Sequence, residues 1–218
     1  PEDVRSQVAD RLVKSLREQG WHLSTGFIGV GHLNPVLTAA GYSDVAYRLL
    51  LQETYPSWLY PVRRGATTIW ERWNGWTEEN GFFDPHMNSF NHYSLGSVGE
   101  WLFRYVAGIE LDPECPGFQR FVLRPYLGDG IDWIRTSYTT MYGEIESSWR
   151  RRGRVLEWRI RIPANTSATV WIPSTSDSPV DTDGLEPIHR DDGFAVCHAD
   201  AGDYTLISEV GDLPSNGC

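Results

Sequence analysis

Residues 144–162 read EIESSWRRRGRVLEWRIRI, two alternating stretches joined at Gly153. The apolar members of the second stretch are Leu156, Trp158, Ile160 and Ile162, and Val155, Glu157, Arg159 and Arg161 stand between them. A period of two places alternate side chains on opposite faces of a β-strand. The segment therefore predicts a hairpin with one buried face. Its basic run belongs to the hairpin tip.

The chain after residue 111 continues in this strand-like manner. A breaker cluster opens it, with Asp112, Pro113, Pro116 and Gly117. Further runs typical of strands lie at 121–123, 133–142, 168–172 and 204–207. Short strands at regular spacing predict an antiparallel β-sandwich of seven or eight strands over residues 112–209. A tail at 210–218 would follow it.

The chain before residue 112 carries helical patterns instead. An apolar stripe of Val4, Val8, Leu12 and Leu16, with Val13 alongside, predicts a helix that Gly20 ends. Further helices are predicted at 31–40, 43–53 and 92–107, the last closed by Gly108. Four or five helices can form only part of a large helical barrel. Nearly forty residues between the last two helices form a long loop, and such loops are usually functional.

The composition argues against several classes of function. The 218 residues carry a formal charge of −10 without a long basic run, so no nucleic-acid partner is expected. No apolar run approaches the ~20 residues that cross a bilayer, and the first residues do not resemble a signal peptide. We therefore expect a soluble chain without a membrane partner, and its compartment stays open. The scattered cysteines, Cys115, Cys197 and Cys218, predict isolated thiols, and no metal or cofactor is expected.

Aromatic residues are unusually frequent. The chain has ten Trp, ten Tyr and eight Phe. Flat rings pack against the C–H faces of sugars, but large aromatic side chains also fill cores. The excess raises a sugar-binding hypothesis, while most of these rings are expected to be structural.

The first candidate site lies in residues 64–76, RGATTIWERWNGW. Its carboxylate, Glu71, stands among three tryptophans and next to Arg72. Apolar walls favour a neutral carboxylic acid and a neighbouring Arg favours the carboxylate, so an acid and a base role both stay open. A surface ion pair beside an aromatic core is the alternative, and the residues alone favour it.

The second candidate site lies in residues 84–93, DPHMNSFNHY. Asn88, Asn91 and His92 would present donors and acceptors to a polyhydroxylated ligand. In the alternative, Ser89 or Asn91 caps the helix that follows, and the residues alone favour this capping role.

These motifs together resemble glycoside hydrolase family 78, the bacterial α-L-rhamnosidases. The resemblance is carried by residues 25–27 (TGF), 49–62 (LLLQETYPSWLYPV), 65–73 (GATTIWERW), 87–93 (MNSFNHY), 99–102 (GEWL) and, in the C-terminal β-domain, 162–166 (IPANT). Several long motifs in one order are more specific than any single motif. The resemblance implies an α+β multidomain fold, with part of an (α/α)6 barrel over residues 1–111 followed by the β-sandwich.

The resemblance also implies an inverting glycosidase that releases terminal α-L-rhamnose from a rhamnosylated small molecule or oligosaccharide, without a cofactor. Inverting enzymes pair a general acid with a general base across roughly 6.5–9.5 Å. By the family's pattern Glu71 is the base and His92 contacts rhamnose. Trp73, Trp76, Asn88 and Asn91 are further candidate sugar contacts.

The family's general acid belongs to a motif upstream of every motif found in this sequence. We therefore expect the chain to be a fragment that is inactive alone, because losing a general acid costs ~10²–10⁴-fold in rate. Its expected partner is the missing upstream part of the same polypeptide.

Three alternatives stay open. The chain can be a non-catalytic carbohydrate-binding module that works through its β-sandwich, although the polar aromatic loops cluster in the helical half. It can be a truncated piece whose exposed helix faces serve only as an interface. It can also be a glycosidase of the same barrel class that acts on another sugar.

Overall fold

The computed structural model describes residues 4–175, 178–191 and 193–211. The chain divides into two compact units, the first ending at Trp101 and the second beginning at Leu102. The predicted tail lies outside the described residues from position 212 onward.

Helices make up most of the regular structure in the first unit. They are α1 (Arg5–Glu18), α2 (Phe27–Ala39), α3 (Ser43–Leu50), α4 (Leu59–Arg63) and α5 (Val98–Trp101). After α1, Gly20 adopts a positive φ of 66°, as a helix-terminating glycine does. The helix α2 begins four residues before the predicted start, and α3 ends three residues before the predicted end. The short α4 was not predicted. None of the described helices is long and apolar enough to cross a membrane.

The buried face of α1 differs from the predicted stripe. Ala9, Val13 and Leu16 are buried, whereas Val8 is 63% exposed and Val4 also faces outward. A spacing of four residues drifts by about 40° at each step around a helix of 3.6 residues per turn. The i, i+4, i+7 set of the three buried residues stays on one face. The predicted stripe is therefore wrong in its N-terminal half.

The helix predicted over residues 92–107 is three short turns. A 3-10 turn (Ser94–Ser97) precedes α5, and a π-helical turn (Leu102–Val106) follows it at the start of the second unit. Gly96 and Gly99 lower the helical propensity in this segment. Gly108 then closes it with φ 76°. The prediction is correct in location and wrong in regularity.

A small hairpin lies in the long loop of the first unit, and two larger sheets make up the second. The hairpin pairs β1 (Trp76–Thr77) with β2 (Gly81–Phe82). The strands of the second unit are β3 (Ile109–Leu111), β4 (Arg120–Leu123), β5 (Thr136–Thr140), β6 (Gly143–Arg152), β7 (Val155–Ile162), β8 (Ser167–Pro173), β9 (Val180–Asp181), β10 (Glu186–Asp191), β11 (Phe194–Ala199) and β12 (Gly202–Glu209). Their order is β10-β11-β8-β4-β3 in one sheet and β5-β6-β7-β12-β9 in the other.

The hairpin predicted around Gly153 is confirmed. It joins β6 to β7, with Gly153 at φ 59° and Trp149 opposite Trp158. All four apolar residues of β7 predicted to face inward are at most 2% exposed. The two sheets contact each other where Ser208 of β12 donates a hydrogen bond to the carbonyl of Pro173 in β8 (2.6 Å).

Two details of the predicted sandwich need correction. Ten strands occur among the described residues of this unit, because short or polar strands such as β3, β9 and β10 have no apolar alternation to reveal them. The sheets are antiparallel except for β4 and β8, which pair in parallel. Between these two strands the chain forms β5, β6 and β7 in the other sheet, and it returns in the same direction.

Candidate active site

The two candidate motifs lie against each other in the first unit. The backbone N–H of Glu71 donates to the carbonyl of Ser89 (2.8 Å), and the N–H of His92 donates to the carbonyl of Ile69 (2.9 Å). Segments about twenty residues apart are thus paired through their backbones. The pairing brings the backbones of the two candidate motifs together.

The carboxylate of Glu71 has a backbone partner. Its Oε2 accepts a hydrogen bond from the N–H of Ser89 at 2.7 Å. This bond fixes the orientation of the carboxyl group. Glu71 as a whole residue is half-buried. A group held in this way can accept a proton from water.

Arg72 serves the loop around Glu71. Its Nε donates to the carbonyl of Met87 (2.7 Å), and its guanidinium lies 4.8 Å from the centre of the Phe83 ring. The sequence pointed to Arg72 as the neighbour of the Glu71 carboxyl group. The donor in place is the Ser89 amide.

The side chain of Asn88 ties the two segments together. Its Nδ2 donates to the carbonyl of Gly75 (2.8 Å), and its Oδ1 is buried without a hydrogen-bond partner among the described residues. A Cβ on Gly75 would stand 2.9 Å from that Oδ1, so glycine permits this close approach. Asn88 therefore fixes the backbone immediately before the Ser89 amide.

The ring of His92 is stacked between two aromatic rings. Phe27 and Tyr93 each lie 5.1 Å from it, centre to centre, at interplanar angles of 13° and 11°. Its Nδ1 accepts a hydrogen bond from the N–H of Ser94 (3.3 Å). A neutral imidazole that accepts at Nδ1 carries its proton on Nε2. The outer nitrogen is therefore a donor, which suits the oxygen of a sugar hydroxyl.

The capping alternative is only partly right. Ser89 Oγ and the backbone of Asn91 hydrogen-bond each other, at 3.1 and 3.2 Å, and form a local turn. The side chain that bonds the next helical turn is His92, through Ser94. Asn91 is exposed, and its part in sugar binding stays a prediction.

The predicted tryptophans are half-buried. Trp73 donates from Nε1 to the carbonyl of Thr25 (2.9 Å) and meets Trp58 edge to face at 5.6 Å. Trp76 begins the β1–β2 hairpin. Because the indole N–H of Trp73 is used internally, any contact of this residue with a sugar would be through its ring.

The sequence did not reveal the amide of Ser89 as a functional group. Every residue type except proline carries a backbone N–H, so no residue pattern marks the one that reaches a carboxylate. The nearest sequence signal is the spacing of the two motifs, and that requires the fold to be interpreted. Among the described residues, no group of three or more His, Cys, Asp or Glu side chains is placed to hold a metal.

Comparison with known proteins gives consistent matches. The model of the bacterial alpha-L-rhamnosidase 6 hairpin glycosidase domain matches residues 1–106, and that of the bacterial alpha-L-rhamnosidase C-terminal domain matches residues 108–184. An α-L-rhamnosidase of Streptomyces avermitilis is 42% identical over 204 residues, 94% of this chain and 20% of the relative. One from Formosa agariphila is 36% identical over 182 residues, 84% of this chain and 19% of the relative.

Solved structures agree with these matches. The crystal structure of the Streptomyces avermitilis α-L-rhamnosidase complexed with L-rhamnose has a TM-score of 0.88 and 40% identity, covering 95% of this chain and 20% of that one. The α-L-rhamnosidase from Aspergillus terreus has a TM-score of 0.79 and 31% identity, covering 96% of this chain and 22% of that one. The chain spans about a fifth of the length of the relatives it matches.

Proposed function

The chain belongs to the bacterial α-L-rhamnosidase family, and from this premise we propose that it supplies the base side of an active site that hydrolyses terminal α-L-rhamnosides. The observation that carries the proposal is the Glu71 carboxyl group, held by the Ser89 amide in the segment that leads to His92. A carboxyl group whose orientation is fixed by a backbone amide suits the activation of water at a sugar.

The proposed reaction inverts the anomeric centre. Glu71 takes a proton from a water molecule, and the water oxygen bonds to the anomeric carbon on the face opposite the leaving group. The bond from that carbon to the aglycone oxygen breaks, and a general acid gives this oxygen its proton. Because the chain spans about a fifth of its relatives, we place the general acid outside it.

The donor at His92 Nε2 is assigned to a rhamnose hydroxyl. Trp73, Trp76 and Asn91 remain proposed sugar contacts. We reassign Asn88 from sugar contact to support of the loop, since its amide nitrogen is bonded to Gly75 and its oxygen is buried.

Exposed apolar residues on the first two helices support a partner segment. Val8 in α1 and Ile28 and Val36 in α2 are exposed, and Ile28 is 92% accessible. Apolar surface of this kind normally packs against another element. We propose that helices α1 to α5 are part of an (α/α)6 barrel and that further barrel helices cover these residues.

The test compares three proteins with an aryl α-L-rhamnoside. They are the chain alone, the chain joined to the upstream region of the Streptomyces avermitilis relative (the joined enzyme) and the joined enzyme with Glu71→Gln. We expect nitrophenol release by the joined enzyme alone, at least ~10²-fold faster than by its variant. Proton NMR of the first sugar released should show the anomer opposite to that of the substrate.

Each other outcome rejects a stated part of the proposal. Hydrolysis by the chain alone would place the general acid within these 218 residues. A joined enzyme that is folded by circular dichroism but hydrolyses only other aryl glycosides would assign a different sugar. Retention of configuration would reject Glu71 as a base acting on water.

A further inference from the structure

A basic surface lies on the outer face of the sheet β5-β6-β7-β12-β9 in the second unit. Its members, called here the arginine face, are Trp133, Arg135, Ser148, Arg150, Arg152 and Arg159. They line a shallow groove of about 590 Å³ together with Glu146 and Glu157, and Glu157 stands opposite Arg150 in the strand register. The whole chain carries a formal charge of −10, so this groove has the opposite sign to the rest of the protein.

Strand register explains how these side chains come together. Trp133 bridges to Arg150 of β6, and Ser148 of β6 stands opposite Arg159 of β7. Alternation along β6 turns Trp149 into the core, at 2% exposure, and turns Ser148 and Arg150 outward. Same-face residues two apart on a strand are separated by about 7 Å, and cross-strand neighbours by about 5 Å. Ser148 is small and forms the floor between arginines.

The two glutamates of the groove are already paired. Glu157 bonds Arg159 at 2.7 Å, and Glu146 bonds Arg161 at 2.8 Å. Within the described ranges, Arg135, Arg150 and Arg152 are exposed and form no ion pair with a carboxylate.

The neighbouring Arg151 shows the contrast. It turns to the other face of β6, where its guanidinium lies near Asp129 (3.8 Å) and Asp132 (3.6 Å). Arg135, Arg150 and Arg152 thus differ from Arg151, because no carboxylate of the described residues lies within ion-pair distance of them. Their face of the sheet is suited to binding anions.

Trp133 adds an aromatic platform to this charge. Its side chain is 61% exposed, whereas the two tryptophans of the β6–β7 hairpin, Trp149 and Trp158, are fully buried. A flat indole ring packs well against the C–H face of a sugar, and a guanidinium fork binds a carboxylate through two hydrogen bonds. A uronic acid presents both features on one ring.

We propose that the arginine face binds a carboxylated oligosaccharide, with Trp133 under one sugar ring and Arg135, Arg150 and Arg152 at carboxylates of that ring and its neighbours. A nucleic acid fits less well, because its dense phosphates would meet only three unneutralised guanidinium groups on a strongly acidic chain. The binding is separate from hydrolysis at Glu71. It adds to the proposed function an affinity for acidic glycans.

The experiment titrates the chain with a hexamer of galacturonic acid and with its methyl ester, which keeps the rings and loses the charges. Calorimetry should show binding of the acid that weakens with added salt, and binding of the ester at least about tenfold weaker, or 1.4 kcal/mol. Trp133→Ala and Arg150→Gln should each weaken binding of the galacturonic acid hexamer by a similar factor. Arg154→Gln, an exposed arginine outside the arginine face, removes the same charge and should leave the affinity unchanged.

Four results would overturn the inference. Absence of binding by a folded chain rejects the site, and equal affinity for acid and ester rejects recognition of carboxylates. An equal loss in Arg154→Gln would reduce the effect to overall charge. Tighter binding of a single-stranded oligonucleotide would assign the surface to nucleic acid. Because no hydrolysis is measured and Glu71→Gln should bind the hexamer normally, failure here is distinct from failure of the rhamnosidase proposal.

Discussion

Glu71 and Ser89 bond to each other in both directions: the Ser89 N–H donates to Oε2 of Glu71 (2.7 Å), and the Glu71 N–H donates to the Ser89 carbonyl (2.8 Å). The carboxylate is therefore positioned by backbone rather than by a partner side chain. Its orientation depends on how firmly the segment around Ser89 is held. Asn88 and Gly75 provide that restraint.

Substitution of Gly75 by Ala should impair catalysis in the joined enzyme. The new Cβ would meet Asn88 Oδ1 at 2.9 Å and displace the residue before the Ser89 amide. A misplacement of about 1 Å at a reacting group costs up to ~10²-fold, so we expect kcat to fall by about 10- to 100-fold with KM little changed. Gly99→Ala, where nothing lies within 4 Å of the added Cβ, is the control. A normal kcat in Gly75→Ala would show that the bond between Asn88 and Gly75 does not position Glu71 for catalysis.

Two substitutions of His92 should separate stacking from hydrogen bonding. His92→Phe retains a ring between Phe27 and Tyr93 but loses both ring nitrogens, the Nε2 donor and the Nδ1 acceptor of the Ser94 N–H, whereas His92→Ala also loses the ring. In the joined enzyme we expect KM for the aryl rhamnoside to rise by about tenfold in both variants, the effect of one hydrogen bond to a neutral group. The melting temperature should fall further in His92→Ala than in His92→Phe, because both variants lose the bond to the Ser94 N–H and only His92→Ala loses the stacked ring. A normal KM in His92→Phe would remove His92 from sugar binding.

The sequence predicted those parts of the fold in which burial follows a simple period. The alternation in β7 identified its inward residues correctly, because the two faces of that strand differ from each other in polarity. The strand β10 (Glu186–Asp191) is exposed throughout, so its pairing with β11 left no apolar pattern to detect. In α1 the apolar residues outnumber the buried ones, and the period of four included the exposed Val4 and Val8 and missed the buried Ala9.

The candidate site shows a similar division. Glu71 and His92 were proposed from the family resemblance of their motifs, and their roles stay predictions. Their arrangement could not be predicted, since it rests on backbone pairing between Glu71 and Ser89 and between Ile69 and His92. Backbone groups are the same at almost every position, and only the fold selects those that meet.

Gly108 should be far less tolerant of substitution than Gly117. Both adopt positive φ angles, 76° and 103°. A Cβ on Gly108 would lie 2.3 Å from the nitrogen of Pro125, whereas a Cβ on Gly117 has nothing within 4 Å. Strain from positive φ alone costs about 1–2 kcal/mol, which we expect for Gly117→Ala in urea unfolding. Gly108→Ala adds a backbone clash to this strain. A loss of unfolding free energy no larger than in Gly117→Ala would contradict the close packing at Gly108.

The ion pair of Asp112 with Arg120 should make the second unit sensitive to acid. Arg120 Nε bonds Asp112 Oδ2 at 2.5 Å, and this hydrogen bond is the main cause that lowers the pKa of Asp112 below its usual value in the folded chain. The unfolded chain then binds more protons between the two pKa values, so stability rises with pH in that window. The contribution is complete above the unfolded pKa, near 4, and is lost as the pH falls through the lower folded pKa.

Replacing either partner of this pair should remove its pH dependence. We expect the urea midpoint of the wild type to fall between about pH 5 and pH 3 more steeply than that of Asp112→Asn, which should also be less stable at pH 7. Arg120→Gln should flatten the profile in the same way, because the pKa of Asp112 returns towards its usual value without its donor. In the double variant the urea midpoint should depend on pH no less steeply than in either single variant. An Asp112→Asn profile parallel to the wild type would assign the acid sensitivity to other carboxylates.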